Sequence, residues 1–206
     1  MKVVSCNVKL ISPRVIVPED IYNLIARTAR VCYQSENKVS KLSSAEFVAM
    51  LIKRGHLSPL EFIDITIKCI TDRGISHELV RHRLCSFMQE STRYCNYGGK
   101  DIEFVKPVGI DDPSDTYCEW MIAMENSENF YNLLLELGNT PQVARSVLPN
   151  SLKTEIYIKA NLREWRHIFK LRRAKAAHPD MLDLMYKAYM CFAVHLPIIF
   201  EENEHD

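Results

Sequence analysis

Two segments of this sequence concentrate basic and hydroxyl side chains, which are residue types that bind anions. The segment 81–94 reads RHRLCSFMQESTRY, so an Arg-His-Arg triplet precedes two serines, a threonine and a further arginine. Residues 163–178 contain six Lys or Arg residues and one acidic residue. A guanidinium group presents a planar fork of N–H donors to phosphate and carbonyl oxygens. Both segments therefore indicate a local site for an anionic or carbonyl-rich ligand.

The triplet Arg81-His82-Arg83 cannot bind one small group if it lies on a helix. The pattern of residues 76–84 predicts a helix, on which three consecutive side chains project about 100° apart. The three basic side chains would then contact different parts of a large ligand, or different subunits. A basic surface turn without a ligand is the alternative interpretation of this segment.

Arg172 falls on the apolar side of a second helix, predicted at about 161–176. One side of that helix carries Arg163, Arg166, His167, Lys170 and Arg173, and the other carries Trp165, Ile168, Phe169 and Ala176, with Arg172 among them. Burying a guanidinium is costly unless an anion or hydrogen-bond acceptors contact it. Two interpretations stay open: a structural salt bridge or a side chain that reaches water, and an arginine directed into a pocket.

The turn RGHLSPLEF at 54–62 is a third candidate. Gly55-His56 closes a helix there, and Ser58-Pro59 turns the chain into a strand. His56 and Ser58 could face a ligand from such a turn, although local capping explains the same residues.

Composition and missing motifs exclude several classes of function. The 206 residues include 26 Lys or Arg and 26 Asp or Glu, and a neutral protein is a poor general binder of nucleic acids or membranes. The chain contains no GxGxxG, GxxxxGK[ST], HExxH or CxxC motif, so neither Gly-rich phosphate loop is expected, and no metal site. Seven scattered cysteines and an N-terminus without a signal peptide predict a cytoplasmic protein. The apolar stretch 181–200 is interrupted by charged residues and proline, so we expect no membrane span.

Periodicity predicts an α+β fold: a mainly antiparallel sheet packed with long helices, in a single domain over residues 1–206. Strands are expected at 2–11, 63–69 and 154–160; helices are expected from Pro18, after a Ser43/Glu46 capping box up to Gly55, at 76–84, 112–138, 161–176 and 179–195, with a short one between Thr140 and Pro149.

Several motifs in order along the chain resemble those of the flavin-dependent thymidylate synthases. They are Arg81-His82-Arg83 followed after seven residues by Ser91-Thr92-Arg93-Tyr94, HLSPLEF at 56–62, ARSVLP at 144–149 and NLREWRHIFKLR at 161–172. The resemblance spans most of the chain. It implies a homotetramer with FAD and dUMP sites shared between subunits. It also implies conversion of dUMP to dTMP, with methylenetetrahydrofolate as carbon donor, NADPH as reductant of the flavin, and no cysteine nucleophile.

The same resemblance implies roles for individual residues. It implies cofactor binding by His56, Ser58, Arg81, His82, Arg83, Gln89, Asn161, Arg163 and His167. It implies substrate binding by Glu78, Arg81, Gln89, Glu90, Ser91, Thr92, Arg93, Arg145 and Arg172. Arg172 matches the catalytic arginine that favours negative charge at N3 and O4 of the pyrimidine. Three positions depart from the family pattern: Glu78 stands where Gln is frequent, Gln89 where Glu is usual, and His167 where some members carry Asn.

Two other classes of function remain as alternatives. A non-catalytic nucleotide-binding or RNA-binding module would use the same cations, without flavin and with salt-sensitive binding. A hydrolase using a metal held by His56 and His82 would show metal-dependent phosphoester cleavage. Ser91 could also be read as a nucleophile, but the sequence offers it no identifiable base, so we expect Ser91 to bind dUMP.

Overall fold

The computed structural model describes residues 1–32, 34 and 42–201. The strands are β1 (Lys2–Val4), β2 (Asn7–Ser12), β3 (Asp64–Asp72), β4 (Ser86–Gln89), β5 (Glu103–Val105) and β6 (Lys153–Asn161). The helices are α1 (Pro18–Val31), α2 (Ser44–Lys53), α3 (Arg73–Leu79), α4 (Asp115–Glu136), α5 (Pro141–Ala144), α6 (Leu162–Arg172), α7 (Pro179–Phe192) and α8 (Pro197–Phe200). Short 3-10 helices occupy Ser58–Phe62, Arg145–Val147 and Ala193–His195.

A four-stranded antiparallel sheet in the order β2-β3-β6-β4 forms the centre of the molecule. Its longest pairing joins β3 to β6, from Asp64 opposite Asn161 to Asp72 opposite Lys153. Successive side chains of a strand point to opposite faces, and Ile65, Ile67 and Cys69 share one face of β3 and are fully buried. β1 and β5 form a separate parallel pair. The predicted α+β class, with a mainly antiparallel sheet, is confirmed.

Two groups of buried side chains stabilise the fold. The larger group joins β3 and β6 to α1, α2, α3, α6, α7 and α8. Trp165 lies at its centre with no exposed surface, stacks on Phe169, and donates from its indole nitrogen to the carbonyl of Ile65 at 3.1 Å. The smaller group, around Phe104 and Tyr131, joins β5 to α4 and α5. Because Trp165 contacts β3, it fixes α6 on the sheet.

Cap residues set where the main helices begin and end. Ser43 and Glu46 form the predicted capping box at α2, and Gly55 after α2 has a φ of 74°, which favours glycine. Asn161 ends β6 and also caps α6, because its side chain accepts a hydrogen bond from the Glu164 amide at 2.9 Å. One asparagine therefore turns the chain from the sheet into the helix that carries Arg172.

Several predicted boundaries are wrong, and each has a local cause. The strand expected at 2–11 is two strands, because the chain leaves the sheet at Ser5-Cys6 and β1 pairs with β5 instead. The helix expected at 76–84 is α3, which begins earlier because the Asp72 side chain caps it, accepting from the Ile75 amide at 2.8 Å. The helix expected to reach residue 176 ends at Arg172, with Arg173 as its C-cap, so Ala176 lies beyond it.

The short strands β4 and β5 were not predicted at all. β4 pairs with β6, and β5 pairs with β1. They have four and three residues, which is too short for alternation to stand out from a loop. The long acidic helix was predicted, although Ser114 caps it at residue 115 rather than at 112.

We expect Trp165→Ala to lower the free energy of unfolding by about 3–5 kcal/mol, because it removes a large buried aromatic side chain and leaves a cavity. Urea denaturation followed by circular dichroism measures the change. The matched control is Tyr186→Ala, which removes an aromatic side chain 59% exposed on α7 and should change the free energy by less than about 0.5 kcal/mol. Equal losses in the two variants would contradict the assignment of Trp165 to the centre of the core.

Candidate active site

A cleft of about 770 Å³ lies between α6 and the turn that follows α3. Its lining includes seven of the residues predicted to bind cofactor or substrate: Arg81, His82, Arg83, Asn161, Arg163, His167 and Arg172. We call these seven residues the cleft group. Glu61, Leu84, Glu164 and Leu171 complete the lining. The structure therefore brings the Arg-His-Arg triplet and the helix of Arg172 to one place.

The triplet diverges as predicted, but from a turn and not from a helix. Backbone hydrogen bonds from His82 to Leu79 and from Cys85 to His82 shape this turn. His82 is buried at 7% exposure, whereas Arg81 and Arg83 are exposed. One basic side chain thus points into the protein while its two neighbours point outward.

Arg172 forms three hydrogen bonds at the wall of the cleft. One terminal nitrogen contacts the Glu78 carboxylate at 2.7 Å, and the other donates to the Glu78 carbonyl oxygen at 3.1 Å. Its Nε donates to Nε2 of His82 at 3.0 Å. Arg172 forms an ion pair, as the structural interpretation expects, and it also lines a cleft, as the functional interpretation expects.

His82 is neutral at pH 7 and its protonation pattern follows from Arg172. Burial, and then the nearby charges of Arg172 and His167, lower the pKa of His82 to about 4. Because Nε2 accepts a hydrogen bond from Arg172, the proton of the neutral ring is assigned to Nδ1. Nδ1 lies 3.7 Å from Glu164, a separation that is not an ion pair while His82 is neutral. Burial raises the pKa of Glu164.

His82, Glu164 and His167 are close enough to be considered as metal ligands, since one possible ligand atom from each lies within 4.8 Å of the others. The surroundings disfavour a cation there. A metal-bound histidine usually donates its second N–H to a carboxylate or carbonyl, whereas His82 accepts from a guanidinium. Arg81, Arg83 and Arg163 line the same cleft. His56 does not line it, so the pair proposed for the alternative metal hydrolase is not brought together.

All but one of the remaining predicted substrate residues form a second set outside the cleft. It extends from the last residue of β4 into the following loop, includes the first residue of the 3-10 helix Arg145–Val147, and comprises Gln89, Glu90, Ser91, Thr92, Arg93 and Arg145. We call them the loop group. Arg145 donates to the Thr92 hydroxyl at 2.9 Å. Gln89 donates to Ser76 at 2.8 Å and to Thr154 at 3.2 Å. The loop group is thus preorganised by its own hydrogen bonds, at a different place from the cleft group.

Three further predicted residues lie outside both sets. His56 and Ser58 are exposed on the turn after α2, and neighbouring Leu57 lines a smaller cavity of about 270 Å³ together with Arg163 and His167. Glu78 contacts Arg172 but lines a separate cavity of about 390 Å³ on the side of α3. The turn of His56 and Ser58 therefore lies next to the cleft, and Glu78 lies behind it.

Sequence reasoning missed several residues that shape the two sets. Glu164 lines the cleft three positions before His167, a helical spacing that could have identified it. Arg73 donates to the Glu90 carbonyl oxygen at 3.1 Å, and the Tyr97 hydroxyl donates to the Glu90 carboxylate at 2.7 Å. No sequence signal distinguishes Arg73 or Tyr97, because their contacts depend on the tertiary fold.

The cysteines nearest the sheet are poor nucleophiles. Burial raises the pKa of the Cys85 thiol to about 12 and that of Cys6 to about 11. Burial also raises the pKa of Cys69 and Cys191. The thiolate is the reactive form of cysteine, so these four side chains stay protonated near neutral pH.

The α+β fold thus brings four arginines and two histidines to one cleft. A family model described as thymidylate synthase complementing protein matches residues 15–198. Flavin-dependent thymidylate synthases of Mycobacterium tuberculosis and Corynebacterium glutamicum are 30% and 31% identical to this chain, each over 88% of the chain and 79% of the relative. The chain belongs to the flavin-dependent thymidylate synthase family, whose members are methyltransferase enzymes.

A solved structure supports the fold assignment. The chain is similar to the UMP/dUMP methylase PolB from Streptomyces cacaoi, bound with 5-Br dUMP. The TM-score is 0.79 at 24% identity, over 98% of this chain and 96% of that one. At 24% identity this similarity supports a shared fold. Within the described residues, no helix has both the length and the apolar character that crossing a membrane requires.

We expect the free energy of unfolding to fall as the pH falls from about 6.5 to about 4, in part because of His82. Its pKa is depressed to about 4 in the folded chain from an ordinary value of 6.5, so the unfolded chain binds more protons in this window. Protonation of His82 lowers the free energy of unfolding by up to about 3 kcal/mol across this window. Urea denaturation of His82→Gln at several pH values should show a shallower pH dependence than the parent chain.

The control for His82→Gln is His77→Gln, which replaces an exposed histidine of α3. Carboxylates titrate in the same range in all three proteins, so only the difference between the variants is diagnostic. If both substitutions left the pH dependence unchanged, the burial of neutral His82 would be disproved.

Proposed function

We propose that this protein methylates dUMP to dTMP, with methylenetetrahydrofolate as carbon donor and FAD, reduced by NADPH, as hydride source. The observation that carries the proposal is the cleft group: residues from the turn after α3, the end of β6 and α6 meet in one cleft. Membership in the flavin-dependent thymidylate synthase family supports a flavin and dUMP as the ligands of such a cleft.

The cleft group fits a flavin dinucleotide by size and by donor chemistry. Arg81, Arg83 and Arg163 offer guanidinium groups to the two phosphates. The Asn161 amide and the His167 ring offer neutral donors and acceptors suited to a heterocycle. A volume of about 770 Å³ lies within the usual range for ligand sites. When bound, the flavin supplies the hydride that reduces the one-carbon unit on the pyrimidine.

Arg172 is proposed as the catalytic residue. Its side chain is 22% exposed, and a cation shielded from water stabilises developing negative charge better than one in bulk solvent. Three of its five N–H groups are used by described residues, which leaves one on each terminal nitrogen for N3 or O4 of dUMP. The protonated thiols agree with a reaction that needs no cysteine nucleophile.

The separation of the loop group from the cleft group supports a homotetramer with shared sites. Residues predicted to bind one substrate lie at two places on the chain, so we propose that the loop group of one subunit completes the cleft of another. Leu84 and Met88, between the two sets in sequence, and Tyr94, directly after Arg93, are 78%, 74% and 82% exposed. Contiguous exposed apolar surface is typical of protein interfaces, so we propose that these side chains contact another subunit.

We expect purified protein loaded with FAD to form dTMP from dUMP when methylenetetrahydrofolate and NADPH are present. Product formation is measured by liquid chromatography, and NADPH oxidation by absorbance should increase on addition of dUMP. Omission of each component in turn is the control. Folded, flavin-loaded protein that forms no dTMP in the complete mixture would refute the proposed function.

We expect Arg172→Ala to retain FAD and to lower kcat for dTMP formation by about 10²–10³-fold, because it removes a cation that stabilises charge in the transition state. Flavin absorbance reports the retained cofactor. The comparison variant is Arg81→Ala, which should weaken FAD and dUMP binding together because Arg81 is an exposed wall residue of the cleft. Normal turnover by Arg172→Ala would remove it from the mechanism.

A further inference from the structure

Glu78 stands in an unexpected relation to the proposed catalytic arginine. Its carboxylate forms an ion pair with Arg172 at 2.7 Å, and its backbone carbonyl accepts a second hydrogen bond from the same guanidinium at 3.1 Å. His82 accepts a hydrogen bond from Nε. Each of the three guanidinium nitrogens of Arg172 therefore has a partner, and these contacts fix the orientation of the guanidinium plane. Glu78 and His82 together decide which way the free N–H groups of Arg172 point.

Glu78 approaches Arg172 from outside the cleft. Arg172 is part of the cleft lining, whereas Glu78 is not. Glu78 instead lines the neighbouring cavity, with Ile75 of α3 and His178. A ligand that fills the cleft can therefore contact Arg172 while the ion pair with Glu78 stays intact.

The charge of Glu78 also changes what Arg172 offers to a ligand. A carboxylate in contact with a guanidinium offsets part of its positive charge. An arginine without that offset would attract the N3-deprotonated, anionic form of a pyrimidine already in the ground state. Catalysis gains only from interactions that are stronger in the transition state than in the ground state. A partly offset arginine accordingly binds the neutral ring and still responds to charge that develops on it.

We propose that Glu78 is a positioning residue that orients Arg172 and sets the preference of the site for the neutral over the anionic pyrimidine. This inference rests on the proposed function, because it takes the pyrimidine of dUMP as the ring that Arg172 contacts. The family resemblance implies that Glu78 contacts dUMP directly. We propose instead that Glu78 acts on dUMP through its ion pair with Arg172.

The test compares Glu78→Gln with Glu78→Ala in flavin-loaded protein. Kd is measured by calorimetry for dUMP and for 5-bromo-dUMP from about pH 6 to about pH 9. Bromine withdraws electrons and makes N3–H more acidic, so a larger fraction of 5-bromo-dUMP is anionic at alkaline pH. At alkaline pH, Glu78→Gln should raise the ratio of Kd for dUMP to Kd for 5-bromo-dUMP by about threefold. The expected change is small because solvent screens a side chain that is 40% exposed.

Glu61→Gln is the matched control for charge. Glu61 is 44% exposed, lines the cleft, and forms an ion pair with Arg163. The substitution removes the same charge, but from the ion-pair partner of a different arginine of the cleft. The preference for 5-bromo-dUMP should therefore change in Glu78→Gln and much less in Glu61→Gln.

Turnover separates orientation from charge. A glutamine at position 78 keeps a carbonyl oxygen that can accept from Arg172, whereas an alanine keeps none. Glu78→Ala should therefore lower kcat for dTMP formation more than Glu78→Gln does, while both variants retain flavin.

An unchanged preference in Glu78→Gln would overturn the inference, and so would an equal change in Glu61→Gln. Loss of affinity for both nucleotides at every pH would also overturn it, since that is the behaviour of a direct substrate contact. If the unmodified protein formed no dTMP while Glu78→Gln still shifted the preference as expected, the proposed function would fail. The action of Glu78 on a pyrimidine bound beside Arg172 would nevertheless be supported.

Discussion

The contact between Arg172 and the turn after α3 is the interaction on which the candidate site depends. It joins the last residue of α6 to His82 and Glu78, which lie 90 and 94 positions earlier in the chain. Removing a guanidinium from water without acceptors is costly, and this contact gives acceptors to three N–H groups of Arg172 while it joins α6 to α3 and the turn after it. The neutral state of His82 is part of the same arrangement, because a protonated ring could not accept from Arg172.

The β3–β6 pair provides the rigid base for that contact. Nine consecutive pairings hold Asp64 opposite Asn161 at one end and Asp72 opposite Lys153 at the other. Asp72 caps α3 and Asn161 caps α6, so the two helices that meet at Arg172 begin at opposite ends of one strand pair. Because both helices begin at fixed positions of this strand pair, the side chains that they carry are held in defined places.

Sequence patterns predicted the elements with long, regular periodicity, and these carry most of the fold. Alternation identified β3 and β6, and the Ser43/Glu46 capping box identified α2. The motifs also selected residues that the structure does assemble, such as Arg81, Asn161 and Arg172. Contacts between distant residues were not predictable: nothing local in the sequence indicates that Glu78 reaches Arg172, or that Tyr97 reaches Glu90. The four-residue strand β4 is extended because it pairs with β6, and this long-range pairing cannot be read from its own residues.

Charge in this neutral chain is unevenly distributed, and positive charge is concentrated in the cleft lining. The segment 101–136 has nine acidic residues and one lysine, and none of them lines the cleft. Arg81, Arg83, Arg163 and Arg172 do line it and outnumber the two glutamates of the lining, so positive charge is in excess there even though the totals of the chain balance. Within a Debye length of about 10 Å at ordinary salt, the nearest charges decide the potential. Ion pairs such as Arg172–Glu78 and Arg163–Glu61 then offset part of the positive charge of individual arginines.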